Sequence, residues 1–241
     1  MLHKTRGIVL YTTDYSESSV IAKVYTELFG LQSYIVNGVR KSKAKMRASS
    51  FRPLTLVDLV VYHKEKGGLQ RIADVRPNPV LNSIPYDVMK SSIALFLNEV
   101  LYKTIREEEA NLQMFEFLFS SVQWLDVHEP VNSDFHLIFM LQLSKHLGFF
   151  PSDNYSEQQS LFDLQEGVFT ETTPLHPFYL DKTQSRNLHI LLSKLTDNSF
   201  RLNISVSEKR ELIKNIIEFY RLHIPSIGEI KSHQVLSMIW E

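Results

Sequence analysis

The sequence contains no cysteine, and this absence excludes two kinds of structural cross-link. None of its 241 residues can form a disulfide or supply a thiolate ligand to zinc. A chain without thiols is compatible with a reducing compartment, and we expect a cytoplasmic protein.

Phosphate-binding loops and long apolar runs are lacking as well. The eight glycines form neither G-x-x-x-x-G-K nor G-x-G-x-x-G, so nucleotide hydrolysis is not expected. No stretch approaches the roughly 18 apolar residues that span a bilayer, and no signal peptide is recognisable, so we expect no membrane partner. The nine histidines show no metal-ligand spacing and no G-x-S-x-G is present. We therefore predict no enzyme activity, no cofactor and no metal.

Acidic residues are scarce where basic residues are dense. Up to Arg76 the chain has thirteen Lys and Arg against six Asp and Glu, whereas the remainder has thirteen against twenty-one. Residues 38–52 alone hold six cations and no acid. Such a concentration predicts a loop that binds an anion, and a solvated loop without function is the alternative.

Five segments rich in β-branched and aromatic residues precede residue 78. They predict strands over residues 7–12, 19–25, 31–37, 54–63 and 69–75, the last two joined by a turn at Gly67-Gly68. Five strands in so short a stretch favour a small barrel of the OB-fold type, with an SH3-like barrel as the alternative.

Two prolines, Pro77 and Pro79, mark a change in hydrophobic period from two to about 3.6 residues. The fold class predicted is therefore α+β and multi-domain, with an OB-fold barrel over 1–78 and an α-helical domain over 79–241. Helices are predicted over about 88–105, 110–125, 133–147, after the cap Asp181, after the capping box Ser205-x-x-Glu208, and over 232–240. Residues 149–180 form an irregular excursion with a short hairpin at Glu166-Gly167.

Aromatic side chains accompany the cations of the predicted barrel. OB-folds bind oligonucleotides by using cations for phosphates and rings for bases. We expect about half of the six rings to point into the core; they are Tyr11, Tyr15, Tyr25, Tyr34, Phe51 and Tyr62. The residues predicted to contact nucleic acid are Arg6, Lys23, Tyr34, Arg40, Lys41, Lys43, Lys45, Arg47 and Arg52. Because phosphate contacts carry no sequence information, little sequence preference is expected. Composition permits DNA and RNA equally, and an enzyme of unrecognised type is a third hypothesis.

Four stretches in the first third of the chain carry a family resemblance. They are residues 5–10 (TRGIVL), 14–19 (DYSESS), 26–30 (TELFG) and 38–43 (GVRKSK). With these motifs the chain resembles the RecO family of bacterial recombination mediators and DNA repair proteins. The resemblance is strongest over residues 5–75 and thinner beyond.

The resemblance implies an OB-fold followed by helices, and binding of single- and double-stranded DNA in the cytoplasm, in association with the nucleoid. It also implies strand annealing, and work with RecR and single-stranded DNA-binding protein to load recombinase. Many family members carry a four-cysteine zinc motif, which this chain cannot have. We expect residues 149–180 to be held by packing instead, through side chains such as Phe162, Leu164, Phe169 and Phe178.

The acidic helical part is predicted to bind protein partners. The acidic, apolar tail of a single-stranded DNA-binding protein needs an apolar groove edged by cations. The candidate residues lie on the helix after Ser205 and are Lys209, Arg210, Ile213, Lys214 and Ile217.

Overall fold

The computed structural model describes residues 1–39, 46–64 and 67–239. These residues form two compact units, Met1–Val127 and His128–Glu241. The first unit extends beyond the strands, so the division predicted at residue 78 and the division into compact units fall at different places.

Five strands open the first unit and close into a barrel. They follow the order β1-β2-β3-β5-β4, and β4 pairs back onto β1. The pairing of β3 with β5 is parallel, and the other pairings are antiparallel. This is the five-stranded Greek-key barrel of the OB-fold, which confirms that prediction. The strands are β1 (Leu2–Asp14), β2 (Val20–Thr26), β3 (Gly30–Val36), β4 (Leu56–Tyr62) and β5 (Gln70–Pro77).

Side chains point alternately into and out of the barrel along the strands, and the inward ones fill its interior. Along β3 and the first five residues of β2 every second side chain is buried, as the period of two requires, whereas the last three residues of β2 are all buried. β1 also carries an irregularity in register between Val9 and Tyr11, of the kind that bends a strand around a small barrel.

The fourth strand begins two residues later than predicted. Leu54 has a φ of 59°, in the left-handed region that ends regular extended structure. Its N–H donates to the carbonyl of Val9 at 2.7 Å, and its side chain is buried. Leu54 therefore anchors the entry to β4 and does not lie in the strand.

Two helices complete the first unit, α1 (Val88–Thr104) and α2 (Leu112–Val127). α1 packs against β1, and the ring of Phe115 on α2 lies 6.2 Å from the ring of Tyr25 on β2. Between the helices, the carbonyl of Glu107 accepts the N–H of Leu31 at 2.9 Å. The helical pair therefore covers part of the outer barrel wall.

The segment that leads from β5 to α1 is held by one buried carboxylate. Asp126 accepts the backbone N–H groups of Asn82, Ser83 and Ile84 at 2.8 to 2.9 Å. The buried Lys90 ammonium donates to the carbonyl of Asp126 at 2.8 Å. Buried polar groups need such partners, so these bonds fix the chain as it enters α1.

The second unit combines four helices with a small sheet. Its sheet has the order β7-β6-β8, and β6 and β7 form the hairpin predicted at Glu166-Gly167. The elements are α3 (Phe135–His146), β6 (Leu161–Asp163), β7 (Val168–Thr170), β8 (Tyr179–Leu180), α4 (Lys182–Leu192), α5 (Val206–His223) and α6 (His233–Ile239).

The helix boundaries in this unit follow local chemistry. Asp181 with Gln184 and Ser205 with Glu208 form capping boxes at the starts of α4 and α5, which confirms both predicted caps. Gly148, at φ 87°, follows the end of α3 as predicted.

The sheet region is held by packing and by side-chain hydrogen bonds. Phe162, Leu164 and Phe169 are buried as predicted, whereas Phe178 is only half-buried. Asn154 bonds the N–H and the carbonyl of Phe169, both at 2.8 Å.

A zinc site does not fit this region. Asp163 Oδ1 accepts two backbone N–H groups, and its Oδ2 lies 3.1 Å from Nε2 of His176. No group of three or more His, Asp or Glu side chains within 1–39, 46–64 and 67–239 could hold a metal ion. The Asp163–His176 pair supplies too few ligands for a structural zinc, which needs four.

Among the helices described, none is both long enough and apolar enough to cross a membrane.

Candidate nucleic-acid interface

Two loops emerge at one end of the barrel. Val20 at the start of β2 pairs with Val36 at the end of β3. Ser19 Oγ, just before β2, donates to Oδ1 of Asn37 at 3.2 Å. The loop between β1 and β2 and the basic loop after β3 therefore begin side by side.

The basic loop is anchored on both sides. Val39 is buried in the barrel core, and Met46 packs against the same core. A 3₁₀ turn, Ala48–Phe51, follows, and its Phe51 ring is buried while Thr12 Oγ1 donates to the Phe51 carbonyl at 2.8 Å. The predicted contacts Arg40, Lys41, Lys43 and Lys45 lie outside the described residues.

Arg47 and Arg52 flank the 3₁₀ turn, and both are exposed. Neither forms an ion pair with a carboxylate in the described part of the chain. Tyr15, in the loop between β1 and β2, is also exposed at this end. The barrel end thus presents cations together with an accessible ring.

Arg6 occupies a different environment from the one predicted. Its Nε and Nη2 donate to the carboxylate of Glu27 at 2.9 and 2.7 Å, and Nη2 also contacts Glu116. The guanidinium carbon lies 5.1 Å from the ring centres of both Phe115 and Phe119. The two carboxylates raise the pKa of Arg6, and the guanidinium in turn lowers the pKa of Glu27. Arg6 therefore joins β1, the turn after β2 and α2, and its charge is already neutralised.

Lys23 lies on the outer wall of the barrel beside two tyrosines. Its ammonium is 5.4 Å from the ring centre of Tyr102 on α1. The ring of Tyr102 stacks on Tyr11 of β1, with centroids 4.6 Å apart and planes inclined by 25°. Tyr11 and Lys23 are register partners on β1 and β2. Sequence reasoning did not find Tyr102, because a contact between residues 11 and 102 leaves no short-range signal.

The prediction that Tyr34 contacts DNA is wrong. Its side chain is fully buried in the barrel core, and this burial raises the pKa of its hydroxyl. A ring without an exposed face cannot stack on a base. Of the six rings, Tyr34 and Phe51 lie in the barrel core, Tyr25 is buried outside it against Phe115, and Tyr11, Tyr15 and Tyr62 are exposed. Half of the rings are therefore buried, but two and not three point into the barrel.

A groove of about 490 Å³ runs along the outer wall of β1, β4 and β5. Its charged lining consists of Lys4, Arg6 and Arg76 with Glu27, Asp58 and Asp74. Three cations opposed by three carboxylates do not favour a polyanion, so this groove is a weaker candidate than the barrel end.

The partner groove predicted on α5 is not formed by the residues chosen. Ile213 and Ile217 are buried and point into the core of the second unit. Lys209 donates to both carboxylate oxygens of the buried Asp134, at 2.7 and 2.8 Å. Lys214 is exposed but paired with Glu211, and Arg210 is half-buried. The helical period of α5 is predicted correctly, but the apolar face of this helix packs within its own unit.

Comparison with known proteins gives matches along the whole chain. The family described as Recombination protein O N terminal matches residues 1–78, and the family described as Recombination protein O C terminal matches residues 85–232. A protein named DNA repair protein RecO from Bacteroides fragilis (strain YCH46) is 35% identical over 242 residues, 100% of both chains. Proteins of the same name from Flavobacterium psychrophilum and Azobacteroides pseudotrichonymphae are 36% and 33% identical, over 98% and 100% of both chains.

Proposed function

Because the chain belongs to the recombination protein O family, we propose that it is a DNA repair protein that binds single- and double-stranded DNA without strong sequence preference. The observation that carries this proposal is that Arg47 and Arg52, at one end of an OB-fold barrel, are exposed and form no ion pair with a carboxylate among the described residues. Phosphate contacts of this kind fix a strand in place without reading its bases.

The basic loop extends the proposed surface. Its flanks Val39 and Met46 are fixed in the barrel core, so the cations between them are attached to a rigid support. We propose that Arg40, Lys41, Lys43 and Lys45 contact phosphates together with Arg47 and Arg52. Several phosphate contacts in one place give binding that weakens steeply with salt.

In this proposal the protein is a non-enzymatic mediator of homologous recombination. It anneals complementary strands and helps to load recombinase on DNA coated by single-stranded DNA-binding protein, with that protein and RecR as partners. It works in the cytoplasm, in association with the nucleoid. Holding two strands close together raises their local concentration, and this step needs no bond to be made or broken.

An annealing assay with complementary strands coated by single-stranded DNA-binding protein tests the proposal. The wild-type chain is expected to accelerate duplex formation, and Arg47→Glu with Arg52→Glu is expected to slow it. A double variant in the second unit, Lys145→Glu with Lys194→Glu, changes net charge equally at exposed positions and serves as the control. Equal loss in both double variants would contradict a specific role for the barrel end.

Affinity for DNA and RNA of the same sequence distinguishes the proposal from an RNA-binding role. Equal or tighter binding to DNA supports it. A clear preference for RNA would indicate contacts to the 2′-hydroxyl group and would favour the RNA-binding alternative.

A further inference from the structure

Resting on the proposed function, we infer that Tyr11 and Tyr102 form a stacking platform for an unpaired base of single-stranded DNA, with Lys23 at the adjacent phosphate. The platform joins strand β1 of the barrel to helix α1. It adds to the phosphate contacts at the barrel end a contact that depends on bases.

The two rings already have the geometry that a stacked base would extend. Their centroids are 4.6 Å apart and their planes differ by 25°, which corresponds to an offset stack. Tyr102 covers one face of Tyr11, and Tyr11 is nevertheless 41% exposed. Tyr25, in contrast, is fully buried beneath Phe115. The exposed part of Tyr11 is therefore accessible to a further planar group.

The charge beside the pair is positive. The Lys23 ammonium lies 5.4 Å from the Tyr102 ring centre, and Lys23 forms no ion pair with a carboxylate among the residues described. A cation beside an exposed ring is the combination that single-strand binding proteins use, since the ring stacks on the base and the cation attracts its phosphate.

The platform lies on the outer wall of the barrel, a short distance along β1 from the end where the basic loop begins. β1 ends at Asp14, three residues beyond Tyr11 and therefore about 10 Å away at the rise of an extended strand. The side chains of the next outward row are uncharged: Thr13, Ile21 and Ile35 occupy paired positions on β1, β2 and β3. A strand held at the barrel end can thus continue to the platform without passing a carboxylate in that row.

Single-stranded DNA is the ligand that this chemistry selects. In a duplex each base is stacked on its neighbours within the helix, so a protein ring reaches a base face only after unstacking. A single strand offers its bases at little cost, and every base has a face that can stack. The platform therefore favours single strands over duplex without favouring a base sequence.

The test compares three labelled DNAs by fluorescence anisotropy: a single strand, the same length of duplex, and a single strand in which abasic sites replace the bases. Tyr11→Ala in the full chain is expected to lower affinity for the base-bearing single strand about 5-fold or more. Affinity for the duplex and for the abasic strand should change less than 2-fold. Tyr11→Phe, which keeps the ring, should behave as wild type.

A second variant guards against a change in folding. Tyr102→Leu keeps an apolar side chain on α1 but removes the stacked ring, and it should also lower the preference for base-bearing strands. Tyr86→Ala is the matched control, because Tyr86 is 86% exposed in the same unit and has no ring contact among the described residues. Circular dichroism spectra should be unchanged in all of these variants.

The outcomes separate this inference from the proposed function. If wild type binds the DNAs but Tyr11→Ala lowers affinity for all three equally, or for none, the platform is wrong while DNA binding stands. If wild type binds no DNA, the proposed function is wrong and the platform with it.

Discussion

Cations in the two units of this chain have different surroundings, although they look alike in the sequence. At the barrel end, Arg47 and Arg52 are exposed and unpaired among the described residues. On α5, Lys209 is bound to the buried Asp134 and Lys214 to Glu211. A run of basic residues can bind a ligand only where the fold has not already placed a carboxylate within reach.

Composition underlies this difference. Residues 38–52 contain no acid, whereas the chain beyond Arg76 has more acids than bases. In the second unit Lys209, Lys214 and Arg221 each pair with a carboxylate of the same unit. In the first unit Arg6 is paired with Glu27 and Glu116, and Arg76 and Lys103 are paired with Asp74 and Glu99.

Replacing Lys209, the cation that pairs with the buried Asp134, should have the largest effect on stability. Lys209→Ala leaves the fully buried Asp134 carboxylate without its ammonium partner, and we expect a loss of about 3 to 5 kcal/mol in the free energy of unfolding. Urea denaturation measures it. Lys214→Ala, which removes an exposed pair, is the control and should change stability by less than about 0.5 kcal/mol.

A double variant sharpens this prediction. Asp134→Asn with Lys209→Met removes both charges and should recover part of the loss, because an apolar or neutral pair needs no buried counter-charge. A double variant less stable than Lys209→Ala would show that the ion pair is not the cause.

Lowering the pH should reduce the stability of the second unit. Burial lowers the pKa of His136 to about 4, with Asp134 and Lys209 as its charged neighbours. The unfolded chain binds a proton near the ordinary pKa of about 6.5, so the stability present above that pH should fall as the pH drops toward 4, by on the order of 3 kcal/mol. Urea titrations across this range measure the slope. His136→Gln should flatten it, and an unchanged slope would contradict the assignment.

Neutralising the basic loop should affect binding and not folding. Replacing Lys41, Lys43 and Lys45 by Ala should weaken all DNA sequences alike, by about tenfold or more at physiological salt. For single strands the slope of log affinity against log salt should become shallower by about 2, since each phosphate contact contributes about −0.7. Lys43→Arg should bind as wild type. An unchanged slope in the folded triple variant would identify the loop as merely solvated.

Replacing Arg6 should give the smallest effect, and it should change stability and not DNA binding. Arg6→Ala removes charge-assisted hydrogen bonds that join β1, the turn after β2 and α2, and we expect a loss of about 1.5 kcal/mol in stability. The salt slope of DNA binding should not change, because the guanidinium is already paired. If Arg6→Ala made the salt slope of DNA binding shallower and left stability unchanged, Arg6 would instead be a DNA-binding residue.

The barrel could be predicted from the sequence because its strands and turns depend on residues that lie close together in the chain. Alternation of apolar residues, the turn at Gly67-Gly68 and the capping box at Ser205 depend on neighbours only a few residues apart. The side-chain positions at the site depend on distant contacts. The pairing of Arg6 with Glu116 and the stacking of Tyr11 on Tyr102 join segments that no local pattern relates. The burial of Tyr34, by contrast, follows the alternation along β3.

The α5 prediction failed for a related reason. Its period correctly indicated an amphipathic helix, but a period does not tell whether an apolar face meets its own unit or a partner. Ile213 and Ile217 meet their own unit. Burial of that face, and the buried carboxylate that holds Lys209, became apparent only from the fold.

Gly30 has a consequence for how a polyanion approaches the barrel. A Cβ atom at this residue would lie 2.3 Å from the Glu109 carbonyl and 2.8 Å from that of Glu107, so the missing side chain lets the acidic connection between α1 and α2 lie against the start of β3. Glu107, Glu108 and Glu109 are therefore fixed at one end of β3, and the basic loop leaves from the other end.

The seven residues of β3 separate this acidic segment from the start of the basic loop by roughly 20 Å, more than two Debye lengths in physiological salt. The carboxylates are thus too far away to cancel the attraction of the cations, but near enough to repel a strand that arrives at the wrong end. Under the proposed function, this polarity of the barrel would steer an incoming strand to the loop end before any contact forms.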